Sequence, residues 1–302
     1  MTLRLGTRGS PLALKQAEMV RDALIAAHGW DSGAVEIVTI STKGDRDRVR
    51  PLTEMGGKAV WTKELDRALL AGETDISVHS MKDVESIRPE GLGIAAMLER
   101  ADVRDKLIGA ASLDDLPDGA VIGTASPRRV AQVKGLRPGL RTDLLRGNIA
   151  TRIAAVENGK FDATLLASAG LDRMDQGHVG HHVELDVMLP APAQGAIGID
   201  ARSDDAATRA ALAAINHVDT FDCVMAERAF VAGLNGDCHS PVAALAQLDG
   251  DHLHLSVEIY SEDGSDRLQD KISLDRSDTE TPKQLARDML AAAPDSIKKL
   301  FG

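Results

Sequence analysis

The sequence predicts an α/β protein with two lobes of related architecture, followed by a small α+β domain carrying an antiparallel sheet. Three observations lead there. Strand-like and helix-like runs alternate through the first two thirds of the chain, as βαβ units do. One strand–turn–helix pattern occurs twice: Gly6-Thr7-Arg8-Gly9-Ser10-Pro11 is echoed by Gly123-Thr124-Ala125-Ser126-Pro127. After Ala201 the texture changes to helices and then to strands of alternating hydrophobicity. The 302 residues also exceed one ordinary core and suit two or three domains of roughly 100 residues each.

Leu3 to Leu5 reads as the first strand. Ser10-Pro11 then opens a helix, serine as N-cap and proline at the first helical position, with Leu14, Ala17, Val20, Leu24 and Ile25 at helical spacing. Val35 to Ile40 is the next strand, Trp61 to Leu70 a helix ended by Gly72, and Asp75 to Val78 and Gly93 to Leu98 two further strands. Ala120 to Thr124 leads into the second Ser-Pro helix. Gly72-Glu73-Thr74-Asp75 before one strand is matched by Gly159-Lys160-Phe161-Asp162 before another. Asp204 to Ile215 and Thr220 to Leu234 read as helices, His252 to Tyr260 and Leu268 to Leu274 as strands about a Glu262-Asp263-Gly264 turn, and Pro282 to Ala293 as a closing helix.

Composition excludes several classes of function. With 35 Lys+Arg against 46 Asp+Glu the net charge is −11, a poor basis for neutralising nucleic-acid phosphates. Four Phe, two Trp and one Tyr supply no stacking platform for single strands. The longest uncharged stretch, Val187 to Ile199, has 13 residues and contains Pro190 and Pro192, whereas a membrane span needs about 20 apolar residues. Met1-Thr2-Leu3-Arg4-Leu5 has no apolar signal core, and Cys223 and Cys238 cannot make a disulfide framework, so a soluble protein of the reducing cytoplasm is expected.

The positive charge is concentrated. Residues 121 to 152 hold Arg128, Arg129, Lys134, Arg137, Arg141, Arg146 and Arg152 against Asp143 alone, a local +6 that leaves −17 elsewhere. Guanidinium groups near a helix N-terminus suit carboxylate or phosphate, although a solvated basic face is the plainer reading. Arg128-Arg129 falls in the first helical turn, where cations oppose the dipole, and that placement favours a ligand. Lys82-Asp83 ends the strand-like Val78-His79-Ser80 run, where a carboxylate could hold a cation or move protons, or be an ordinary surface pair. Cys238 lies in a loop beside His239, a reactive thiol or an inert one, while Cys223 falls in a helical run and suits packing. His178, His181 and His182 match no zinc spacing, so no metal is expected.

Together these segments resemble the porphobilinogen deaminase (hydroxymethylbilane synthase) family. The matching pieces, in the family's order, are TRGSPLAL, GGKAVWTKEL, DISVHSMKDV, GTASPRR, LRGNIATR, LLASAGLDRM, PAQGAIGI and ERAFVAGLNGDCHSPVAA, which cover the chain to about residue 245. The resemblance implies two periplasmic-binding-protein-like lobes with mixed, mostly parallel sheets: residues 1–99 with 196–216, and residues 100–195. Residues 217–302 would form the α+β domain, with crossings between lobes near Glu99–Arg104 and Pro190–Ala196.

It also implies the activity: four porphobilinogen molecules condensed head to tail into hydroxymethylbilane, with loss of ammonia, in tetrapyrrole biosynthesis. The product would grow on a dipyrromethane cofactor joined by a thioether to Cys238. Asp83 would stabilise the positive charge that develops as ammonia leaves and would shuttle protons. Lys82, Asp83, Ser126, Arg128, Arg129 and Arg146 would hold the cofactor, and Arg8, Ser10, Lys58, Arg146, Arg152 and Arg173 the substrate's acetate and propionate groups. A cytoplasmic monomer without nucleic-acid or membrane partners is implied.

The chain departs from the family pattern at Glu54, Trp61, Glu85, Pro127 and Asp237, which puts loop geometry in question, above all around the lid near residues 43 to 60. Two other readings stand beside the deaminase. One is an anion-binding module of the same fold, which needs neither Asp83 nor Cys238. The other is a thiol transferase built on Cys238–His239, which predicts that His239→Gln abolishes activity.

Overall fold

The computed structural model describes residues 2–42, 62–237 and 239–301. The chain forms two compact units, Met1–Ala101 with Gly195–Phe221, and Asp102–Gln194 with Asp222–Gly302.

In the first unit β1 (Leu3–Arg8) runs into α1 (Pro11–His28), and β2 (Val35–Ile40), α2 (Lys63–Leu70), β3 (Ile76–Ser80) and β4 (Leu92–Met97) follow. As the serine–proline signature predicts, the Ser10 hydroxyl accepts the Ala13 N–H and Pro11 sits in the first turn of α1. Helix α1 ends on Gly29 at φ +63°, a left-handed conformation that glycine adopts without a Cβ penalty. The core of this unit is built from Leu5, Val20, Leu24, Ile76, Val78, Ile197 and Ile199.

In the second unit β5 (Asp105–Ile108), β6 (Val121–Gly123), α3 (Pro127–Leu136), β7 (Arg141–Asp143), α4 (Ile149–Glu157), β8 (Ala163–Ala167), α5 (Ser168–Arg173) and β9 (His181–Val183) make a lobe. The chain then returns to the first unit with β10 (Ile197–Arg202) and α6 (Ala206–Ala213). Helix α7 (Val218–Gly233) leads into β11 (Val242–Asp249), β12 (His252–Tyr260), β13 (Arg267–Asp275), α8 (Glu280–Ala292) and α9 (Asp295–Lys298).

The two lobe sheets share one topology, with strand orders β2-β1-β3-β10-β4 and β7-β6-β8-β5-β9. In each, a central strand pairs in parallel with two neighbours (β1 with β2 and β3; β6 with β7 and β8). In each, a fourth strand then runs antiparallel to both of its partners (β10 with β3 and β4; β5 with β8 and β9). The repeated turn signature therefore marks a repeated lobe. The antiparallel half of each sheet was hidden in the sequence, because β5 and most of β10 are buried throughout and show no alternation. The C-terminal sheet β11-β12-β13 is antiparallel, with His252 to Tyr260 at its centre as its alternation predicts. Cys223 packs in the core beneath it.

Candidate active site

Parallel pairing of β1 and β3 puts their carboxyl ends on one edge of the first sheet. That edge brings together Arg8 at the end of β1, Ser10 at the cap of α1, and Lys82 and Asp83 in a 3-10 turn, Met81–Asp83, that directly follows β3. Ligands of open α/β sheets bind at such edges, where strand ends and helix N-termini expose N–H groups. Asp83 is half-buried, and its carboxylate makes no hydrogen bond or ion pair among the described residues. Met81 anchors the turn: it is buried, its N–H donates to Ala196 O at 3.1 Å, and its side chain fills the space a Cβ on Gly198 would need.

Behind the turn lies a buried polar cluster that the sequence did not announce. His79 Nε2 stands 3.3 Å from Asp200 Oδ2. Arg88 Nη2 donates to the same oxygen at 2.7 Å and also to Asp66, while its Nη1 donates to Glu85 at 3.0 Å. Glu85, one of the family departures, also accepts the Thr62 hydroxyl at 3.0 and 3.1 Å. Burial raises the Asp66 carboxyl above its ordinary value, and Arg88 offsets this only in part. Ligand atoms of Asp66, His79 and Asp200 lie within 4.8 Å of one another, the one such group among the described residues. Arg88, reaching both carboxylates, already supplies their counter-charge. His178, His181 and His182 of the second lobe form no such group among the described residues; His182 Nε2 instead lies 3.2 Å from Ser168 Oγ and 3.6 Å from Asp102 Oδ2.

In the second unit Ser126 caps α3 by accepting the Arg129 N–H at 3.5 Å, the counterpart of Ser10 in the first lobe. The sequence reading offered an anionic ligand or solvent beside Arg128 and Arg129, and the structure adds a buried carboxylate of the protein. Arg128 (3% exposed) and Arg129 (5%) share the carboxylate of Asp105 (2%), at 2.8 and 2.7 Å. The counter-ion that makes two cations tolerable in a first helical turn is thus the protein's own. Burial alone would raise the Asp105 carboxyl, but the two guanidiniums outweigh it and hold the group far below the ordinary carboxylate range. Arg129 Nη1 also donates to Leu165 O at 2.7 Å. Arg128 Nη1 donates to Gln132 and Leu189 O, and Gln132 donates to the Tyr260 hydroxyl, which in turn donates to Glu258. Arg128 Nε is buried with no hydrogen-bond partner, so one donor of this otherwise committed pair is open to an acceptor.

The other predicted arginines are half-buried rather than enclosed. Arg146 precedes Gly147, whose φ of +116° makes the turn into the Asn148-capped α4. Arg152, in the first turn of α4, donates from Nε to Gly147 O at 3.0 Å. Arg173 ends α5, and burial pushes its guanidinium down to about 10, still protonated at neutral pH. Arg137, counted in the basic segment, is engaged by Asp114 at 3.1 Å and by the Leu113 and Leu116 carbonyls. Cys238 and Lys58, together with Trp61, Glu54 and the expected lid, lie outside the described residues. Beside Cys238, Asp237 accepts the His239 N–H at 2.8 Å and donates its own N–H to Ser240 Oγ at 3.0 Å, which gives that departure a turn-forming role. Pro127 likewise fits as the first residue of α3.

Each lobe carries arginines and a capped helix N-terminus at its strand ends, features of an α/β protein that takes small anionic molecules. Comparison with known proteins agrees. Residues 3–210 match the family model described as "Porphobilinogen deaminase, dipyromethane cofactor binding domain", and residues 221–291 the one described as "Porphobilinogen deaminase, C-terminal domain". A porphobilinogen deaminase from Sphingopyxis alaskensis is 52% identical over 305 residues, covering 99% of this chain and 96% of that protein. One from Paracoccus denitrificans is 52% identical over 267 residues, covering 87% and 85%. Among solved structures, the methionine-binding protein MetQ overlaps 71% of this chain and 89% of its own, at 13% identity and a TM-score of 0.44.

The chain belongs to the porphobilinogen deaminase family. Its activity is that of hydroxymethylbilane synthase: four porphobilinogen molecules joined head to tail into hydroxymethylbilane, with release of ammonia, on a dipyrromethane primer, in tetrapyrrole biosynthesis.

Proposed function

We propose that Asp83 is the catalytic carboxylate of this condensation and that Cys238 carries the dipyrromethane. The observation that supports Asp83 most is that it is half-buried, its carboxylate without a partner among the described residues, at the end of a strand beside the capped N-terminus of α1. An acidic group left uncompensated in that position is available to a cationic centre. As ammonia leaves porphobilinogen, positive charge develops on the pyrrole, and an Asp83 oxygen beside the pyrrole nitrogen stabilises it. The same oxygen takes up the proton released when the new bond forms, because a positioned carboxylate is a competent general base.

Each pyrrole brings an acetate and a propionate, which need cations and hydroxyl donors. In the first unit Arg8, Ser10, Lys58 and Lys82 fill that role, and in the second Ser126, Arg146, Arg152 and Arg173. The Ser10 and Ser126 oxygens accept backbone N–H groups as caps, which leaves each O–H to donate to a carboxylate. Arg128 and Arg129 contribute to cofactor binding mainly by the charge they hold in place, with Arg128 Nε as a direct donor. Dipyrromethane, when bound, supplies the pyrrole end on which the product is built. The enzyme acts as a cytoplasmic monomer, as the family resemblance implies; among the described residues no helix is long and apolar enough to cross a membrane.

Intact-mass measurement of the purified protein tests the anchor. The expected spectrum shows a covalent excess equal to a dipyrromethane that is lost in Cys238→Ser. A folded, active protein of unmodified mass would overturn it.

A further inference from the structure

We propose that Asp200 is a positioning residue for the condensation, its carboxylate gripping Arg88 beyond the Asp83 turn and so fixing where the Asp83 carboxylate stands. The inference rests on the reading of Asp83 as the catalytic group.

Asp83 lies between two limbs of chain. The incoming limb, β3, is held along β10, with Ser77 paired to Asp200, His79 to Gly198 and Ser80 to Ile197. Hydrogen bonds and packing at Met81 fix the turn's base. The outgoing limb, residues 84–88, belongs to no strand, and its Val84 N–H donates to Met81 O at 3.2 Å. What returns this limb to the sheet is Arg88, five residues beyond Asp83, which donates to Asp200 Oδ2 at 2.7 Å. His79, four residues before Asp83, faces the same oxygen at 3.3 Å. His79 Nε2 makes no hydrogen bond there, so the incoming limb is held by its backbone pairing with β10 and the outgoing limb by Arg88, both on the strand that carries Asp200.

The aim of Asp200 is built into β10. Ile197, Ile199 and Ala201 point into the core under α1, so Asp200 faces the opposite side of the sheet, where α2 presents Asp66. The pairing of β10 with β4 shifts register between Ile199 and Asp200, and such a bulge re-aims the residue that follows it. A guanidinium gripped by carboxylates is rigid because its planar donors pair with fixed geometry. Displacing a reacting group by about 1 Å can cost about 100-fold in rate, so a clamp on this turn has a kinetic consequence although it touches no substrate.

Steady-state kinetics on cofactor-loaded enzyme, with loading verified by intact mass, tests this. Asp200→Asn keeps the side chain's size and one acceptor oxygen but loses the charge that grips Arg88. Its kcat is expected to fall about 10- to 100-fold, with the KM for porphobilinogen within about 2-fold of the parent. Asp200→Glu restores the charge and should recover most of the loss. Should Asp200→Asn fail to fold, Arg88→Lys, which keeps the cluster's charge but cannot bridge as a planar fork, carries the same expectation. Parental kcat in the folded variant, or a rise in KM at parental kcat, would overturn the positioning role. Asp83→Asn separates the two ideas. Near-normal turnover there removes the catalytic assignment and the clamp's purpose together. A severe loss there, alongside parental kcat in Asp200→Asn and Arg88→Lys, removes the clamp alone.

Discussion

Asp105 sits between two guanidiniums and also accepts from Gln194 Nε2 at 2.9 Å, so its carboxylate is bound on every side within one lobe. Asp105→Asn keeps the shape and leaves two buried cations without their counter-ion, at an expected cost of about 3–5 kcal/mol. The pH dependence follows from the depressed carboxyl. Its contribution is complete above the unfolded-state value and decays as pH falls from there toward the folded-state value. The stability gap between parent and variant in urea unfolding should therefore stay flat from about pH 8 to about pH 5 and narrow only below about pH 4. A gap that already closes between neutral pH and about pH 5 would assign the stabilisation to another group. At this scale the sequence displayed the arginines but not their partner. Asp105 lies more than twenty residues away in a strand, and nothing in its neighbours marks it as a counter-ion. The proposed role of Asp83 came from a local motif; the buried cluster around Asp200 had no such mark, because its members come from α2, β3, β10 and a loop.

Elements were legible in proportion to how much of their surface meets water. Helix α1, strand β12 and the two Ser-Pro caps followed from periodicity and capping chemistry, since an amphipathic element writes its burial into the sequence. Strands β5 and β10 did not, being buried on both faces. Close backbone contact between elements was equally silent. In the turn between β12 and β13, Gly264 lies at φ +69° against α3, where a Cβ would meet the Ala131 carbonyl. Its own carbonyl in turn occupies the space a Cβ on Gly135 would need. Gly264→Ala should cost about 2–4 kcal/mol, combining left-handed strain with a clash that only movement of α3 or of the turn relieves. Gly250→Ala is the control: φ is +60° and nothing lies within 4 Å of the added carbon, so about 1 kcal/mol is expected. Equal shifts in the two urea midpoints would show that the approach of the turn to α3 carries no energy.

For the molecule as a whole, one buried carboxylate joins the parts of the second unit. Glu227, on α7, accepts the Ala193 N–H at 2.6 Å from the segment that leaves the lobe, and the Ala246 N–H at 2.8 Å from β11 of the C-terminal sheet. The Ala244 N–H adds a bond to Pro190 O at 3.2 Å, and Tyr260, Ala243 and Ala131 pack together with Leu189. Cys238 falls in the sequence between α7 and β11, so the elements Glu227 ties are those that flank the proposed anchor. The net charge of −11 conveyed nothing of this, and the local +6 marked only the lobe from which Ala193 comes. Glu227→Gln keeps the volume but turns one acceptor into a donor facing a backbone N–H, so it leaves a buried donor unsatisfied at about 1–3 kcal/mol. Because the carboxylate serves lobe and C-terminal sheet at once, their exchange protection should fall together. In hydrogen exchange read by peptide mass, β5, β8, β11 and β12 are expected to exchange faster by a common factor while β1 and β3 keep the parental rate. Loosening confined to β11 to β13 would mean that the lobe and the C-terminal sheet are stabilised separately, and that Glu227 serves the sheet alone.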